Sequence, residues 1–156
     1  MTERQFLYTT IHPFPVGMPI VNIRLFHHER EITVPALVDS GSALNILPYD
    51  YGLELGFNWD EQRHQLPTGG LLQGAEAYAV LIKCIIGSFT PIDLAFAWVD
   101  KPSNELRTLL GQINFFNHFR VIFEAYNGIF KIEPIEPGSM DGNPSFGLDD
   151  TIFDRS

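Results

Sequence analysis

Large apolar side chains recur at every second position along several stretches of this chain, and this pattern constrains the fold more than any other feature. Val21, Ile23 and Leu25 alternate with polar neighbours, and the same spacing of two recurs at residues 80–86 and 92–98. Successive side chains of a β-strand point to opposite faces, so this period indicates strands. Turn residues separate these runs at short intervals, which favours an all-β sandwich or barrel over alternating strands and helices.

The clearest hairpin signal and the best helix signal both lie in the C-terminal third of the chain. Asn127 and Gly128, a pair that favours tight β-turns, separate the mostly apolar segments 121–126 and 129–132. Residues 112–119 carry apolar side chains at spacings of three and four, which predicts one short helix. A weaker helical turn is expected at residues 49–55, after a proline. We therefore expect an all-β fold with little helix.

Composition and charge limit the kinds of partner. The 156 residues are 45% hydrophobic, which is enough apolar material for the core of one domain. Ten basic residues against 19 acidic ones give a net charge of -9, and a negative field repels phosphate backbones and anionic lipids. No run of 18 apolar residues is present. We predict that neither nucleic acid nor a membrane is a partner.

The cysteine and histidine content argues against disulfides, metals and cofactors. Cys84 is the single cysteine, and its place in an alternating strand predicts a small buried apolar side chain. The five histidines show no metal-ligand spacing, and the pair His27 and His28 is expected in a solvated turn. The first residues also lack the pattern of a signal peptide. These features together predict a cytoplasmic protein without a metal or cofactor.

The acidic charge is concentrated at the C-terminal end. Residues 133–156 contain six acidic side chains and one basic side chain, so this segment carries -5. Proline and glycine occupy six of its positions, a composition that does not favour periodic structure. We predict one domain over residues 1–133 and an extended or disordered acidic tail over residues 134–156.

A carboxylate at the end of an apolar run is the most informative local feature. Residues 36–38 are apolar, as in a buried strand, and the next residues are Asp39, Ser40 and Gly41. A carboxylate at such a place is costly unless hydrogen-bond donors meet it, and glycine lets backbone N–H groups turn towards it. An Asx-turn or a helix cap would explain the tripeptide alone.

The surroundings of this tripeptide resemble those of the retropepsin-like aspartic peptidases. That family has an apolar strand, an Asp-Thr/Ser-Gly turn, a small residue, and later two apolar residues and a glycine that open the last helix. Here Ser42 follows the tripeptide, and Leu109, Leu110 and Gly111 form the later element, 72 positions beyond Asp39. The resemblance covers residues 20–133 and implies a closed β-barrel, the acid-protease half, with one short C-terminal helix.

The resemblance also implies a role for each matching residue. Asp39 would be the catalytic carboxylate, Ser40 the hydroxyl that ties two active-site turns together, and Gly41 the backbone donor that faces substrate. Leu109, Leu110 and Gly111 would support the site from beneath. A glycine-rich flap would close over substrate, with its tip near Gly69, Gly70 and Leu71, and together with Ser42 it would bind the substrate. A plain loop is the other interpretation of these glycines.

Two departures from the family pattern concern the dimer. Retroviral members commonly pair an arginine after the second glycine with an aspartate four positions beyond the catalytic one, whereas this chain has Gln112 and Ala43. The chain contains one Asp-Ser-Gly, and carboxylate peptidases need two carboxylates. We therefore predict a homodimeric aspartic endopeptidase that hydrolyses peptide or protein substrates. The alternatives are a non-catalytic dimerisation or peptide-binding module of this fold, and an unrelated all-β binding protein.

Overall fold

The structure, a computed structural model, describes residues 3–13 and 16–135. Within these residues, the N-terminal strands are β1 (Arg4–Leu7), β2 (Thr9–Thr10), β3 (Gly17–Met18), β4 (Ile20–His27), β5 (Arg30–Val38) and β6 (Asn45–Leu47). The later strands are β7 (Gln65–Leu66), β8 (Ala77–Ile86), β9 (Ile92–Val99), β10 (Thr108–Leu110), β11 (Phe119–Glu124) and β12 (Ile129–Pro134). The predicted acidic tail lies outside the described residues from residue 136 onwards.

Six strands close into a barrel. Their order is β4, β5, β10, β6, β9 and β8, and a further pairing of β4 with β8 joins the two ends of the sheet. The β5–β10 and β6–β9 pairs are parallel, and the other neighbours are antiparallel. The predicted all-β closed barrel is therefore confirmed.

The alternation of apolar side chains builds the barrel core. Val21, Ile23 and Leu25 of β4 are buried while Asn22 and Arg24 are exposed, as the period of two predicts. Strand β9 differs, because its alanines are buried as well as its larger side chains. One face of β9 meets the main core, and the other packs in a second cluster formed by Ile46, Ala77, Ala97 and Val99.

Two α-helices are present among the described residues, α1 (Tyr49–Glu54) and α2 (Phe115–His118). Helix α1 matches the weak helical turn expected after Pro48. Helix α2 is shorter than the predicted segment 112–119, because Asn114 adopts a left-handed backbone with φ of 57° and interrupts the helix there. Among the described residues, no helix is long and apolar enough to cross a membrane.

A separate three-stranded sheet joins the two ends of the described chain. Strand β12 lies in the middle, paired with β1 on one side and with β11 on the other. The predicted β11–β12 hairpin is confirmed, although its turn is a 3-10 turn (Ala125–Asn127) followed by Gly128 at φ of 66° rather than a two-residue turn.

The histidine pair and the cysteine have different environments. His28 is exposed, as predicted, but His27 is half-buried: its Nδ1 lies 2.9 Å from the Leu55 carbonyl oxygen and its ring stacks on Phe57 at 3.9 Å. The solvated-turn prediction is wrong for His27, and burial lowers the pKa of its imidazole. Cys84 is fully buried as predicted, and burial raises the pKa of its thiol to about 12.

Candidate active site

Strand β5 delivers Asp39 into a tight turn, which we call the Asp39 turn (residues 39–42). The Asp39 N–H donates to the Leu110 carbonyl oxygen at 2.9 Å, and the Ser42 N–H donates to the Asp39 carbonyl oxygen at 3.1 Å. The Gly41 N–H donates to Asp39 Oδ1 at 2.9 Å. This bond is the backbone donor expected for the carboxylate, and it is also the bond that defines an Asx-turn. The turn alone therefore does not distinguish the two interpretations.

The 109–111 segment lies directly beside the Asp39 turn. Strand β10 runs parallel to β5, with Leu109 beside Leu37 and Leu110 beside Val38, so both strands end at the same edge of the barrel. A Cβ atom at Gly111 would lie 2.4 Å from the Leu44 carbonyl oxygen and 2.6 Å from that of Ser42. Only glycine allows such a close approach of two backbones.

Hydrogen bonds fasten the two segments together beyond this contact. The backbone N–H groups of Gln112 and Ile113 donate to the carbonyl oxygens of Ser42 and Ala43, each at 2.8 Å. The Gln112 side-chain Nε2 donates to the Ser40 carbonyl oxygen at 2.7 Å. The turn is thus held along most of its length by the residues after Gly111.

Asn45 is a buried polar residue of the site that the sequence analysis missed. Its Oδ1 accepts the Gly111 N–H at 2.7 Å, and its Nδ2 donates to the Ala95 carbonyl oxygen at 2.9 Å. Its Nδ2 also lies 2.9 Å from Asn114 Oδ1. The signal in the sequence is one amide within the apolar run 44–47, where a polar side chain needs buried partners.

The predicted flap is a hairpin between β7 and the start of β8, and it encloses a segment that we call the flap loop (residues 67–76). Thr68 Oγ1 donates to the Ala75 carbonyl oxygen across this loop at 2.8 Å, and a 3-10 turn (Gly70–Leu72) forms its middle. Gly69 and Gly70 are exposed, and Gly70 has a φ of 58°. The residues expected at the flap tip, including Leu71 of the 3-10 turn, therefore lie in the middle of the loop.

A cavity of about 240 Å³ lies beside the flap loop and reaches Ser42 at the end of the Asp39 turn. Its lining is Ser42, Ala43, Leu44, Ile46, Leu66, Pro67, Thr68, Gly69, Leu72, Ala77 and Ala97. No ionisable side chain is among them. Of the residues predicted to bind substrate, Ser42 and Gly69 line this cavity, whereas Gly70 does not. Asp39, Ser40 and Gly41 lie outside its lining.

The described part of the chain contains no cluster of side chains suited to bind a metal ion. No group of three or more His, Cys, Asp or Glu side chains there is placed to hold a metal ion. The Asp39 turn offers three chemical groups: the half-buried Asp39 carboxylate, the Gly41 N–H that donates to it, and the Ser40 hydroxyl.

Comparison with known proteins finds solved structures with a similar fold. No protein-family model matches the sequence, and the search of curated proteins finds no match. A retropepsin-like aspartic protease from Rickettsia conorii is similar with a TM-score of 0.56 at 13% identity, over 84% of this chain and 91% of the other. The retroviral protease-like domain of Ddi1 from Leishmania major is similar with a TM-score of 0.55 at 14% identity, over 78% of this chain and 96% of the other. The chain therefore has the fold of the retropepsin-like aspartic proteases.

Proposed function

We propose that this protein is a homodimeric aspartic endopeptidase. The observation that carries the proposal is the Asp39 turn, bound to the 109–111 segment and next to an apolar cavity that the flap loop also lines, within a retropepsin-like fold. An isolated Asx-turn explains the Gly41 N–H bond, but it does not require Gly111 to approach the turn so closely. The combination is what supports a catalytic role for Asp39.

Hydrolysis by carboxylates requires a second chain. One ionised Asp39 would take a proton from water as the water oxygen attacks the peptide carbonyl carbon, while the partner's Asp39, protonated, would donate a hydrogen bond to the carbonyl oxygen. When the C–N bond breaks, the departing amine would take a proton from the pair. Two carboxylates close enough to share one proton cannot both ionise, so the pair stays singly protonated over a window of pH. A two-fold axis between the two turns would create this pair.

The cavity supports a preference for apolar substrate side chains. Aliphatic and small side chains form most of its lining, and an ionic side chain placed there would lose water without gaining a partner. We propose extended peptides with apolar residues on both sides of the cut as substrates.

A cytoplasmic location is proposed because the single cysteine is free and buried, as is usual in a reducing compartment.

The decisive variant is Asp39→Asn, with Asp93→Asn as its matched control. An amide keeps the size of the carboxylate but cannot act as a base, so we expect at least a hundredfold loss of kcat with an unchanged unfolding midpoint. Asp93 is an exposed carboxylate of β9 whose Oδ1 lies 3.9 Å from Lys83 Nζ, and its replacement should leave kcat unchanged. Cleavage of a peptide library at mildly acidic pH, with and without a pepstatin-type inhibitor, measures both. An Asp39→Asn protein that keeps more than a few per cent of its activity would contradict the assignment.

The dimer is tested by dilution. Because one chain carries half of the proposed pair, specific activity should fall as the enzyme is diluted and return with second-order kinetics on concentration. Sedimentation at the same concentrations separates a very tight dimer from an active monomer. An active monomer would contradict the proposal.

The cavity also supports the non-catalytic alternative, because Asp39 is not part of its lining. A peptide-binding module would bind apolar peptides equally well before and after Asp39→Asn and would cleave none of them. Peptide binding without cleavage by the wild-type dimer is the outcome that favours this second function.

A further inference from the structure

We infer that Gln112 is a positioning residue of this site: its side-chain amide orients the peptide group between Ser40 and Gly41, whose N–H binds the Asp39 carboxylate. The inference rests on the proposed function, because it concerns how the proposed catalytic carboxylate is held.

Two hydrogen bonds meet at one peptide group. Gln112 Nε2 donates to the Ser40 carbonyl oxygen at 2.7 Å, and the Gly41 N–H donates to Asp39 Oδ1 at 2.9 Å. The Ser40 C=O and the Gly41 N–H belong to the same trans peptide, so they point in opposite directions. The Gln112 amide therefore lies on one side of this planar group and the Asp39 carboxylate on the other.

Packing does not hold this peptide group in place. Ser40 and Gly41 are both exposed, and glycine has wide freedom of backbone rotation. A rotation of the peptide group about its two flanking bonds would turn the Gly41 N–H away from the carboxylate. A donor fixed to the Ser40 carbonyl opposes that rotation. It also polarises the peptide group, which strengthens the N–H on the opposite side as a donor.

Gln112 is itself well anchored for this task. Its own N–H donates to the Ser42 carbonyl oxygen at 2.8 Å, next to the close approach of Gly111, so the base of the side chain is fixed against the same turn. With Ala43 in place of an acidic residue, no neighbouring carboxylate four positions after Asp39 competes for the amide. The side chain is thus free to serve the Ser40 carbonyl.

The test compares Gln112→Met and Gln112→Glu with the control Gln62→Met. Methionine keeps the length of glutamine without a donor. Gln62 Nε2 makes the same kind of exposed bond, to the Asn58 carbonyl oxygen at 2.9 Å, away from the Asp39 turn. Two quantities are measured: kcat and KM at enzyme concentrations that keep the dimer intact, and the exchange rate of the Gly41 amide hydrogen.

We expect Gln112→Met to lower kcat by about three- to tenfold, the range set by one hydrogen bond, with a smaller change in KM. The Gly41 amide should exchange faster in this variant. Gln62→Met should change neither quantity. For Gln112→Glu, activity relative to wild type should recover as pH falls through about 4.3, because a protonated carboxyl can donate to the Ser40 carbonyl and a carboxylate cannot.

An unchanged kcat together with an unchanged Gly41 exchange rate in Gln112→Met would overturn the inference. So would a loss of activity that disappears at higher enzyme concentration, since Gln112 would then act through the dimer contact. A wild-type protein that cleaves no peptide would defeat the proposed function, while faster Gly41 exchange in Gln112→Met would still support the positioning role.

Discussion

Replacing Gly111 by alanine tests whether the Asp39 turn and the 109–111 segment are held as one unit. The added Cβ would lie 2.4 Å from the Leu44 carbonyl oxygen, 2.6 Å from that of Ser42 and 2.8 Å from the Leu44 carbonyl carbon. These are backbone atoms, so relief requires the turn to move by about 1 Å. The Ser42 oxygen accepts the Gln112 N–H and the Leu44 oxygen accepts the Ser42 hydroxyl, so that movement weakens both bonds.

The expected destabilisation combines two effects. Overpacking a close contact costs about 1–3 kcal/mol, and two weakened hydrogen bonds cost about 1 kcal/mol each. We therefore expect Gly111→Ala to lower the free energy of unfolding by about 3–5 kcal/mol, which corresponds to a fall in Tm of about 10 °C for a chain of this size. Activity should be lost as well, because the turn that carries Asp39 must shift.

Urea unfolding followed by tryptophan fluorescence measures this effect, since Trp98 is fully buried in the core. Gly69→Ala is the matched control: a Cβ there meets nothing within 4 Å, and the φ of -155° suits any residue. It should change the free energy of unfolding by less than about 0.5 kcal/mol. A Gly111→Ala protein within about 1 kcal/mol of wild type would refute the close-packed unit.

Three further predictions concern other parts of the chain. Valine should slow turnover more at Gly70 than at Gly69, because a φ of 58° strains a β-branched residue, although both positions face open space. Equal kcat values for the two variants would place the flap hinge elsewhere. Burial lowers the pKa of His27, so below about pH 6.5 the unfolded chain binds a proton more readily than the folded chain does. The free energy of unfolding should therefore fall as the pH drops below about 6.5. His27→Phe should flatten the dependence of the urea midpoint on pH. Deletion of residues 137–156 should change the free energy of unfolding by less than about 1 kcal/mol, measured by Tm. The reason is that the deletion keeps the last described contact, in which the Ile135 N–H donates to the His118 carbonyl oxygen. A larger loss would show that the deleted segment packs on the domain.

The strands and the Asp39 turn could be predicted from the sequence because local pattern determines them. The period of two fixes which face of β4 and β8 is buried, and a carboxylate after a buried strand requires a donor such as the Gly41 N–H. Only the resemblance placed residues 109–111 beneath the Asp39 turn, and the parallel pairing of β10 with β5 was not predicted. Paired residues of these two strands are 72 positions apart, and such a distant pairing leaves no local signal in either strand.

The supporting hydrogen bonds could not be predicted, because they join residues distant in sequence. Asn45 binds Gly111, 66 positions away, and Gln112 binds Ser40, 72 positions away. Spacing cannot distinguish these amides from solvated ones. The length of α2 was overestimated for a similar reason: the backbone of residues 112 and 113 is bound to the Asp39 turn, and the left-handed Asn114 then delays the helix.

The three-stranded sheet has a consequence for how subunits could be exchanged. Strand β1 is paired with β12 along four residues, and β12 is paired with β11 on its other side, so no strand of a second copy can lie between them. In the proposed homodimer, a partner strand could join this sheet only outside β1 or β11, so its departure would leave the β1–β12 and β11–β12 pairings intact. Two different versions of the chain should therefore form mixed pairs on simple mixing, without unfolding. If the chain forms the proposed homodimer, wild-type and Asp39→Asn chains mixed in this way would give a molecule with one carboxylate and one amide at the proposed axis.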